Sequence, residues 1–302
     1  MIVLANDGIE ESAKNALEAL GFAVDTNKYT GEELLARLPE VDVVVIRSAT
    51  TMGKEELDAG KSGKLRLVIR AGVGMDNIDA RYAKEVGITA TNTPAASSNA
   101  VAELALAHML SLSRYLYISN VSMRKKKWLK NEYLGSEISG KTLGIVGIGN
   151  IGYALGEKAA ALGMNVLYTN RRGDLGDAVP FAEFRSMEDL LRESDFVSLH
   201  TPKMGDRPLM GEEEIAMMKD GAYLINLARG GIVDEGALLK ALDSGKLAGA
   251  GLDVYSVEPM EDERILSHEK ISMTPHIGAS TEEAQARIGG NIVQIVQEFY
   301  HV

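Results

Sequence analysis

Three side chains with complementary chemistry stand far apart in the second half of the sequence. Arg229 precedes two glycines, Glu258 precedes a proline, and His276 follows one. A guanidinium can hold a carboxylate through two parallel hydrogen bonds, and an imidazole exchanges protons near neutral pH. A carboxylate can orient such an imidazole through its far ring nitrogen. Together these groups are suited to bind a 2-hydroxy acid and to move its hydroxyl proton while a hydride leaves.

A glycine-rich segment upstream indicates where that hydride goes. The segment is Gly147-Ile148-Gly149-Asn150-Ile151-Gly152, between an apolar run that predicts a strand and a stretch of helical length. In this context the glycines permit a tight turn and let a pyrophosphate approach the helix N-terminus. We therefore predict that Gly147, Gly149, Asn150, Ile151 and Gly152 contact NAD or NADP.

The end of the next predicted strand bears on the choice between the two cofactors. An acidic residue usually stands there and binds the adenosine ribose hydroxyls. This strand instead ends at Asn170, followed by Arg171 and Arg172. Two guanidiniums suit a 2′-phosphate, so NADP(H) stands beside NAD(H) as an expected cofactor.

Composition limits the classes of protein that fit. With 302 residues the chain exceeds the usual single core, so two domains are expected. The formal net charge of −11 argues against nucleic-acid binding, and no apolar run is long enough for a membrane span. The absence of cysteine excludes disulfides and zinc–thiolate sites, and no other cluster predicts a metal. An N-terminus without a basic leader pattern leads us to expect a cytoplasmic protein.

Strand and helix patterns alternate from end to end and position these residues. Short apolar runs such as 41–46, 65–69, 143–146, 196–199 and 223–227 alternate with amphipathic stretches of helical length. This alternation predicts α/β architecture with buried, doubly wound parallel sheets. A turn-rich segment near residue 95 and a helix start near 281 predict a discontinuous domain, 1–95 plus 281–302. The nucleotide-binding domain, 96–280, is then inserted within it, with the active site expected in the cleft between the halves.

Over nearly its whole length the chain resembles the D-isomer-specific 2-hydroxyacid dehydrogenase family. The strongest block runs from residue 221 to 259, and further matching stretches begin at Arg47, Arg70 and Ser98. Within the family it is most similar to short D-3-phosphoglycerate dehydrogenases that lack a regulatory domain. The resemblance implies a Rossmann nucleotide domain and a flavodoxin-like substrate domain.

The resemblance also implies roles for individual residues. Arg229 would bind the substrate carboxylate, His276 would be the acid–base, and Glu258 its partner. Further substrate contacts are implied for Arg47, Ser48, Val73, Gly74 and Asn92. Further cofactor contacts are implied for Thr201, Leu227, Ala228, Asp253 and Gly278. Asn170 departs from the aspartate that NAD-dependent members usually carry.

The implied reaction is NAD(P)-dependent oxidation of D-3-phosphoglycerate to 3-phosphohydroxypyruvate, as in serine biosynthesis. One alternative is a glyoxylate/hydroxypyruvate reductase that prefers NADPH, favoured by Arg171 and Arg172. An alternative of a different class is a nucleotide-sensing, corepressor-like binding protein.

The densest basic segment, Arg124–Lys130, leaves two interpretations open. Such a run is often the solvated face of a helix. In the related enzymes, however, this region leads into a subunit interface, so a homodimer is expected in which the segment could reach a neighbouring active site.

Overall fold

The computed structural model describes all 302 residues, which form two compact units. Unit 1 comprises residues 1–98 and 279–302, and unit 2 comprises residues 99–278. Each unit is built on one parallel β-sheet. The functional domain boundaries expected at 95/96 and 280/281 stay a prediction.

Unit 1 contains a five-stranded sheet in the order β2-β1-β3-β4-β5. Its strands are β1 (Ile2–Ala5), β2 (Ala23–Asp25), β3 (Val43–Ile46), β4 (Leu67–Arg70) and β5 (Thr89–Asn92). Its helices are α1 (Glu11–Ala19), α2 (Gly31–Arg37), α3 (Lys54–Lys61), α4 (Ala80–Glu85) and a closing helix over Glu282–Tyr300. A 3-10 turn covers Leu38–Glu40.

The central strand β3 shows why this sheet is covered on both faces. Its four residues are all fully buried. Val43 and Val45 pack into the layer that holds α1 and the closing helix, whereas Val44 and Ile46 pack into the layer that holds α2 and α3. Successive strand residues point to opposite faces, so a continuous apolar run is required when both faces are covered.

Unit 2 contains a seven-stranded sheet in the order β12-β11-β10-β9-β6-β7-β8. Its strands are β6 (Thr142–Val146), β7 (Asn165–Thr169), β8 (Glu183–Phe184), β9 (Phe196–Leu199), β10 (Ala222–Asn226), β11 (Leu247–Leu252) and β12 (Ile271–Met273). Its helices are α5 (Ser98–Ser113), α6 (Leu116–Arg124), α7 (Asn150–Ala161), α8 (Met187–Glu193), α9 (Glu212–Met217), α10 (Glu235–Asp243) and α11 (Glu263–Leu266). The closing helix of unit 1 is then α12, and a 3-10 turn covers Gly176–Ala178.

Each sheet has one point at which the strand order reverses. In unit 1 the reversal lies between β1 and β3, and in unit 2 it lies between β6 and β9. Open α/β sheets bind ligands outside the carboxyl ends of the strands at such a switch point. The residues that follow β1, β3, β6 and β9 are therefore expected to contact ligands.

The predicted fold class is confirmed: both domains are α/β with doubly wound parallel sheets. Strand β11 was not predicted as a strand, because Leu247-Ala-Gly-Ala-Gly-Leu252 is rich in small residues with low strand propensity. No helix combines the length and the apolar character that a membrane crossing needs.

The interpretation of Arg124–Lys130 as a helix face is wrong. Helix α6 ends at Arg124, and Lys126 has a φ of 59°, in the left-handed region that terminates helices. Residues 124–128 are all exposed. In a helix, like charges three and four residues apart, such as Arg124 and Lys127 or Lys126 and Lys130, would face and repel each other, so a further helical turn of this composition is not favoured.

Candidate active site

The predicted pair of Glu258 and His276 is in direct contact. His276 follows β12, and its Nδ1 lies 2.8 Å from Oε2 of Glu258. The other carboxylate oxygen of Glu258 accepts a hydrogen bond of 3.1 Å from the backbone N–H of Tyr255. Both side chains are 36% exposed. The carboxylate is thus anchored to backbone on one side and holds the imidazole on the other, which leaves Nε2 of His276 for a ligand.

Asp253, which follows β11, holds the turn that carries His276. Its carboxylate accepts hydrogen bonds of 2.8 Å from the backbone N–H groups of Ile277 and Gly278. His276 itself has a φ of 53°, a conformation that costs a non-glycine residue about 1–2 kcal/mol. The two charge-assisted hydrogen bonds offset this cost. Asp253 and Gly278 are therefore brought together beside His276.

Arg229 lies in a turn that the end of β10 organises. The side chain of Asn226 accepts from the N–H of Ala228 at 3.1 Å and donates to the carbonyl of Arg229 at 3.0 Å. Nη1 of Arg229 donates to the carbonyl of Ala228 at 2.6 Å. These contacts fix the guanidinium at the carboxyl edge of the sheet, next to the buried Leu227.

Gly230 joins the Arg229 turn to the segment that carries Glu258. A Cβ atom at position 230 would lie 1.7 Å from the carbonyl oxygen of Tyr255. Only glycine permits this close approach of two backbones. The structure therefore brings the turns of all three predicted catalytic side chains to one edge of unit 2.

The glycine-rich loop after β6 has room for a ligand at one glycine and none at another. A Cβ on Gly149 would meet no atom within 4 Å, whereas one on Gly147 would lie 2.7 Å from the carbonyl oxygen of His200. Gly147 also has a φ of 98°. Gly149 is the N-cap of α7 and supplies no side-chain cap. Asn150, Ile151 and Gly152 form the first turn of that helix, where a pyrophosphate would be received.

The end of β9 contributes buried polar atoms beside this loop. Oγ1 of Thr201 and Nδ1 of His200 are buried without a hydrogen-bond partner. Burial lowers the pKa of His200 to about 4, so its imidazole is neutral at physiological pH. Unsatisfied buried polar atoms are costly unless a ligand or water pairs with them. Together with the open space at Gly149, they fit a dinucleotide at the β6–β9 switch point.

Asn170 uses its side chain within its own turn. Its Oδ1 accepts from the N–H of Arg172 at 2.6 Å, and its Nδ2 donates to the carbonyl of Gly173 at 3.0 Å. The nearby Asp174 accepts from Tyr168 at 2.8 Å and from the N–H of Gly176 at 2.9 Å. Arg171 and Arg172 are exposed. The turn thus places two guanidiniums at the end of β7. The nearby carboxylate of Asp174 is engaged by Tyr168 and Gly176, so it is not committed to a ribose.

In unit 1, Arg47 follows β3 and is held by two residues that the sequence interpretation did not identify. Asp7, two residues after β1, accepts from the backbone N–H of Arg47 at 2.7 Å. Asn77 donates to the carbonyl of Arg47 at 2.7 Å. Position alone could have identified Asp7, because it follows the first strand at the switch point. These contacts use only the backbone of Arg47, whose guanidinium has no ion-pair partner.

Asp7 is a nearly buried carboxylate at the centre of a small polar cluster. Burial would raise its pKa, but hydrogen bonds from Lys28, Thr50 and the N–H of Arg47 outweigh burial and lower the pKa. The hydroxyl of Thr50 donates to Asp7 at 2.7 Å. The ionised form is therefore the stable one, and it fixes the start of the loop containing Arg47 and Ser48.

The Arg47 side chain lines a pocket of about 630 Å³ within unit 1. Thr281, the N-cap of α12, and Gln285 of its first turns line the same pocket, as do the carboxylates of Glu10 and Glu282. The exposed Ser48 follows Arg47 but does not line this pocket.

The remaining predicted substrate residues of unit 1 lie near β4 and β5. Nδ2 of Asn92, at the end of β5, donates to the carbonyl of Val73 at 2.5 Å. Val73 and Gly74 belong to the turn that follows β4 and are partly exposed. One hydrogen bond therefore links Asn92 to that turn.

Comparison with known proteins identifies a family to which this chain is similar. Residues 106–278 match the family model of the D-isomer specific 2-hydroxyacid dehydrogenase, NAD binding domain. A hydroxypyruvate reductase of Thermotoga maritima is 43% identical over 298 residues, which cover 97% of this chain and 96% of that protein.

A second relative and one solved structure are named for other enzyme activities. A D-3-phosphoglycerate dehydrogenase of Methanocaldococcus jannaschii is 38% identical over 303 residues, covering 98% of this chain but 57% of that protein. The chain thus spans little more than half the length of that relative. A solved glyoxylate reductase from Paecilomyes thermophila superimposes with a TM-score of 0.90 at 33% identity, covering 98% of this chain and 94% of that one.

Proposed function

Because this chain belongs to the D-isomer specific 2-hydroxyacid dehydrogenase family, we propose that it transfers hydride between C2 of a D-2-hydroxy acid and NAD or NADP through His276, Glu258 and Arg229. The observation that carries this assignment is the 2.8 Å contact between Nδ1 of His276 and Glu258. An imidazole held by a carboxylate at a strand end, beside an anchored arginine, has the parts that acid–base catalysis at a carboxylate-bearing substrate requires.

In the direction of oxidation, neutral His276 takes the C2 hydroxyl proton at Nε2. Glu258 accepts a hydrogen bond from Nδ1–H and stabilises the imidazolium that forms. Arg229 holds the substrate carboxylate through its planar fork and stabilises charge on the C2 oxygen. The bound nicotinamide supplies the hydride acceptor. The proton thus leaves the C2 oxygen and the hydride leaves C2, and the product is the 2-oxo acid.

We infer that the substrate is a three-carbon acid with a phosphate at C3, as in D-3-phosphoglycerate. Arg47 supports this: its backbone is fixed by Asp7 and Asn77, while its guanidinium has no ion-pair partner and lines a pocket. A phosphate would supply the anionic partner that the Arg47 guanidinium lacks. The carboxylates of Glu10 and Glu282 in the same pocket oppose a phosphate, so Arg47 must outweigh them.

A second candidate is a hydroxypyruvate or glyoxylate reductase that uses NADPH. It is favoured by the turn after β7, which presents Arg171 and Arg172 without a free carboxylate. The relative named hydroxypyruvate reductase matches this chain over nearly the full length of both proteins. In this case Arg47 would not be needed for recognition of the substrate.

A reductase assay separates these candidates. Phosphohydroxypyruvate, hydroxypyruvate and glyoxylate are each offered with NADH and with NADPH, and kcat/KM is measured for all six pairs. A chain carrying His276→Ala serves as the blank for contaminating activity. The highest value with phosphohydroxypyruvate supports the first candidate, and a preference for the unphosphorylated acids with NADPH supports the second. Cofactor binding without turnover of any 2-oxo acid would contradict the enzymatic proposal and favour a nucleotide-sensing protein.

We also propose that the protein is a homodimer, associated through the segment from α5 to residue 134. Large apolar side chains are exposed here: Leu110, Leu116, Tyr117, Met123, Trp128 and Leu134. A cluster of this kind on a soluble enzyme commonly marks a protein interface. Light scattering should give twice the chain mass, and Leu116→Asp should reduce it to one chain. Leu266→Asp, at an exposed leucine elsewhere in unit 2, is the matched control.

A further inference from the structure

His108 is buried in the middle of α5 and has partners at both ring nitrogens. It is 3% exposed. Nδ1 lies 2.8 Å from Oγ of Ser272, and Nε2 lies 3.2 Å from Oγ1 of Thr274. Gly251 of β11 makes room for it, because a Cβ there would lie 2.8 Å from Cβ of His108. The sheet is thus shaped around this imidazole.

The direction of these hydrogen bonds follows from the hydroxyl of Thr274. That hydroxyl has one proton, which it donates to Oδ1 of Asp253 at 2.6 Å. Towards His108 it can therefore only accept, so Nε2 of His108 must carry the proton and Nδ1 must accept from Ser272. Burial lowers the pKa of His108, and the negative charge of Asp253 only partly opposes this effect. The neutral imidazole with its proton on Nε2 satisfies every member of the network.

The network continues from Asp253 to the turn of His276. Asp253 is 1% exposed, and besides Thr274 it holds the N–H groups of Ile277 and Gly278. Thr274 is bound to the same turn by its carbonyl, which accepts from the N–H of His276 at 3.1 Å. The His108 imidazole is therefore two hydrogen bonds from the groups that hold the left-handed residue.

We propose that His108 is a positioning residue for proton transfer: its Nε2–H fixes the Thr274 hydroxyl on Asp253, and Asp253 fixes the turn that presents His276. This inference rests on the proposed function, because it takes His276 as the acid–base. His108 acts through Thr274 and Asp253, so its loss should misplace the His276 turn. Catalysis is sensitive to such displacements even when the altered residue lies away from the reacting atoms.

The variants are chosen to separate positioning from packing. His108→Leu keeps an apolar side chain of similar bulk but removes both polar contacts. His108→Gln retains an N–H that can reach Thr274. Thr274→Val removes the hydroxyl that links His108 to Asp253. Ser272→Ala is the matched control, since it removes the partner of the other ring nitrogen without interrupting the path to Asp253.

Steady-state kinetics with the preferred acid and cofactor should show an effect on kcat. We expect His108→Leu and Thr274→Val each to lower kcat about tenfold, with KM values changed less than about threefold. The double variant should lose no more than the worse single variant, since both break one path. His108→Gln should recover most of kcat, and Ser272→Ala should stay within about twofold of wild type. Additive losses, or equal losses in Ser272→Ala and His108→Leu, would show that the imidazole only fills space.

Hydrogen exchange provides a readout that needs no turnover. In the wild type, the N–H groups of Ile277 and Gly278 should be protected, and His108→Leu and Thr274→Val should speed their exchange while Ser272→Ala should not. Unchanged exchange in both variants would overturn the proposal. If His108→Leu does not fold, Thr274→Val and His108→Gln still decide the matter. Absence of wild-type turnover would refute the proposed function alone, because the exchange rates still report on the path from His108.

Discussion

Both sheets reverse their strand order once, and the residues at the two reversal points differ in kind. Between β6 and β9 of unit 2 stand glycines, the start of α7, and the buried polar atoms of His200 and Thr201. Between β1 and β3 of unit 1 stand Asp7 and Arg47, a carboxylate and a guanidinium, with Lys28 paired to the carboxylate. The edge in unit 2 offers mainly backbone groups and open space, whereas the edge in unit 1 offers mainly charged side chains.

The difference follows from what each edge would have to recognise. A pyrophosphate is common to NAD and NADP, so backbone N–H groups at a helix start suffice for it. A particular acid differs from its relatives in one charged group, and a side chain of opposite charge is needed to read that group. The two edges thus suggest a division between general binding of a cofactor in unit 2 and selection of a substrate in unit 1.

The largest expected effect tests whether the chemistry belongs to unit 2. His276→Ala should lower kcat by about 10²–10⁴-fold, because acid–base catalysis is lost, while cofactor affinity is kept. Steady-state kinetics and the quenching of fluorescence on NADH binding measure the two quantities. His268→Ala, at a partly buried histidine 3.4 Å from Asp243, is the control in the same unit. Turnover near the wild-type value would remove His276 from the mechanism.

The next effect tests whether unit 1 selects the substrate. Arg47→Ala should reduce kcat/KM for phosphohydroxypyruvate by about 10–150-fold, since a charge-assisted contact is worth about 1.5–3 kcal/mol. Hydroxypyruvate should be affected far less. The control is Arg81→Ala, which removes an exposed arginine of the same unit that pairs only with Glu85. Equal losses on both acids would mean that Arg47 supports the loop rather than reading a phosphate.

Arg229→Lys should have a smaller effect, but not a mild one. Lysine keeps the charge and loses the planar fork, so kcat/KM should fall at least about tenfold for every acid in the panel. Arg207→Lys, at an exposed arginine paired with Glu213 and Glu214, should be neutral. A full activity of the Arg229→Lys enzyme would show that another group holds the substrate carboxylate.

Two glycines of the same loop should separate binding from stability. Gly149→Ala enters open space at an ordinary φ of −79°, so the free energy of unfolding should stay within about 0.5 kcal/mol while NADH affinity falls. Gly147→Ala meets the His200 carbonyl at a φ of 98°, so it should destabilise the protein by about 1–3 kcal/mol. Chemical denaturation and NADH titration measure both. Identical behaviour of the two variants would show that the open space at Gly149 does not receive the cofactor.

The smallest effect concerns the choice of cofactor. Asn170→Asp should shift the ratio of kcat/KM values several-fold towards NADH, because a carboxylate repels a 2′-phosphate and accepts from ribose hydroxyls. Asn165→Asp, at the start of the same strand, is the control. An unchanged ratio, together with no use of NADPH by the wild type, would mean that Arg171 and Arg172 are only solvated.

Much of the fold was predictable because parallel strands carry a local signal. β9 was predicted with its observed bounds, since it is a short apolar run between polar residues. β11 was missed because its alternating small residues have low strand propensity. Alternating Gly and Ala residues are tolerated there because helix α5 packs closely against them, as His108 does against Gly251.

The site was predictable only where the type and context of a single residue indicate its chemistry. Glu258 and His276 were paired from their types and contexts, and the structure shows them 2.8 Å apart. Of the supports of Arg47 and His276, only Asp7 could have been identified, from its position after β1. Asn77 and the path from His108 join segments that lie far apart in the sequence. Such contacts depend on the fold and leave no spacing rule in the sequence. The cofactor and substrate roles of the individual residues stay predictions.

The position of helix α12 at the end of the sequence has a consequence for how unit 1 can fold. Its Ile288, Ile292 and Val296 fill the core of unit 1 beside Val3 and Leu17, although about 180 residues of unit 2 intervene. On the ribosome, therefore, the N-terminal strands emerge long before the helix that covers them. A flexible insert of this length costs about 2.5 kcal/mol more to close than a ten-residue loop. Folding of unit 2 removes this cost by bringing its ends together, since a Cβ on Gly278 would lie 3.2 Å from Val101. Once folded, unit 2 therefore acts as a short connection between the two parts of unit 1.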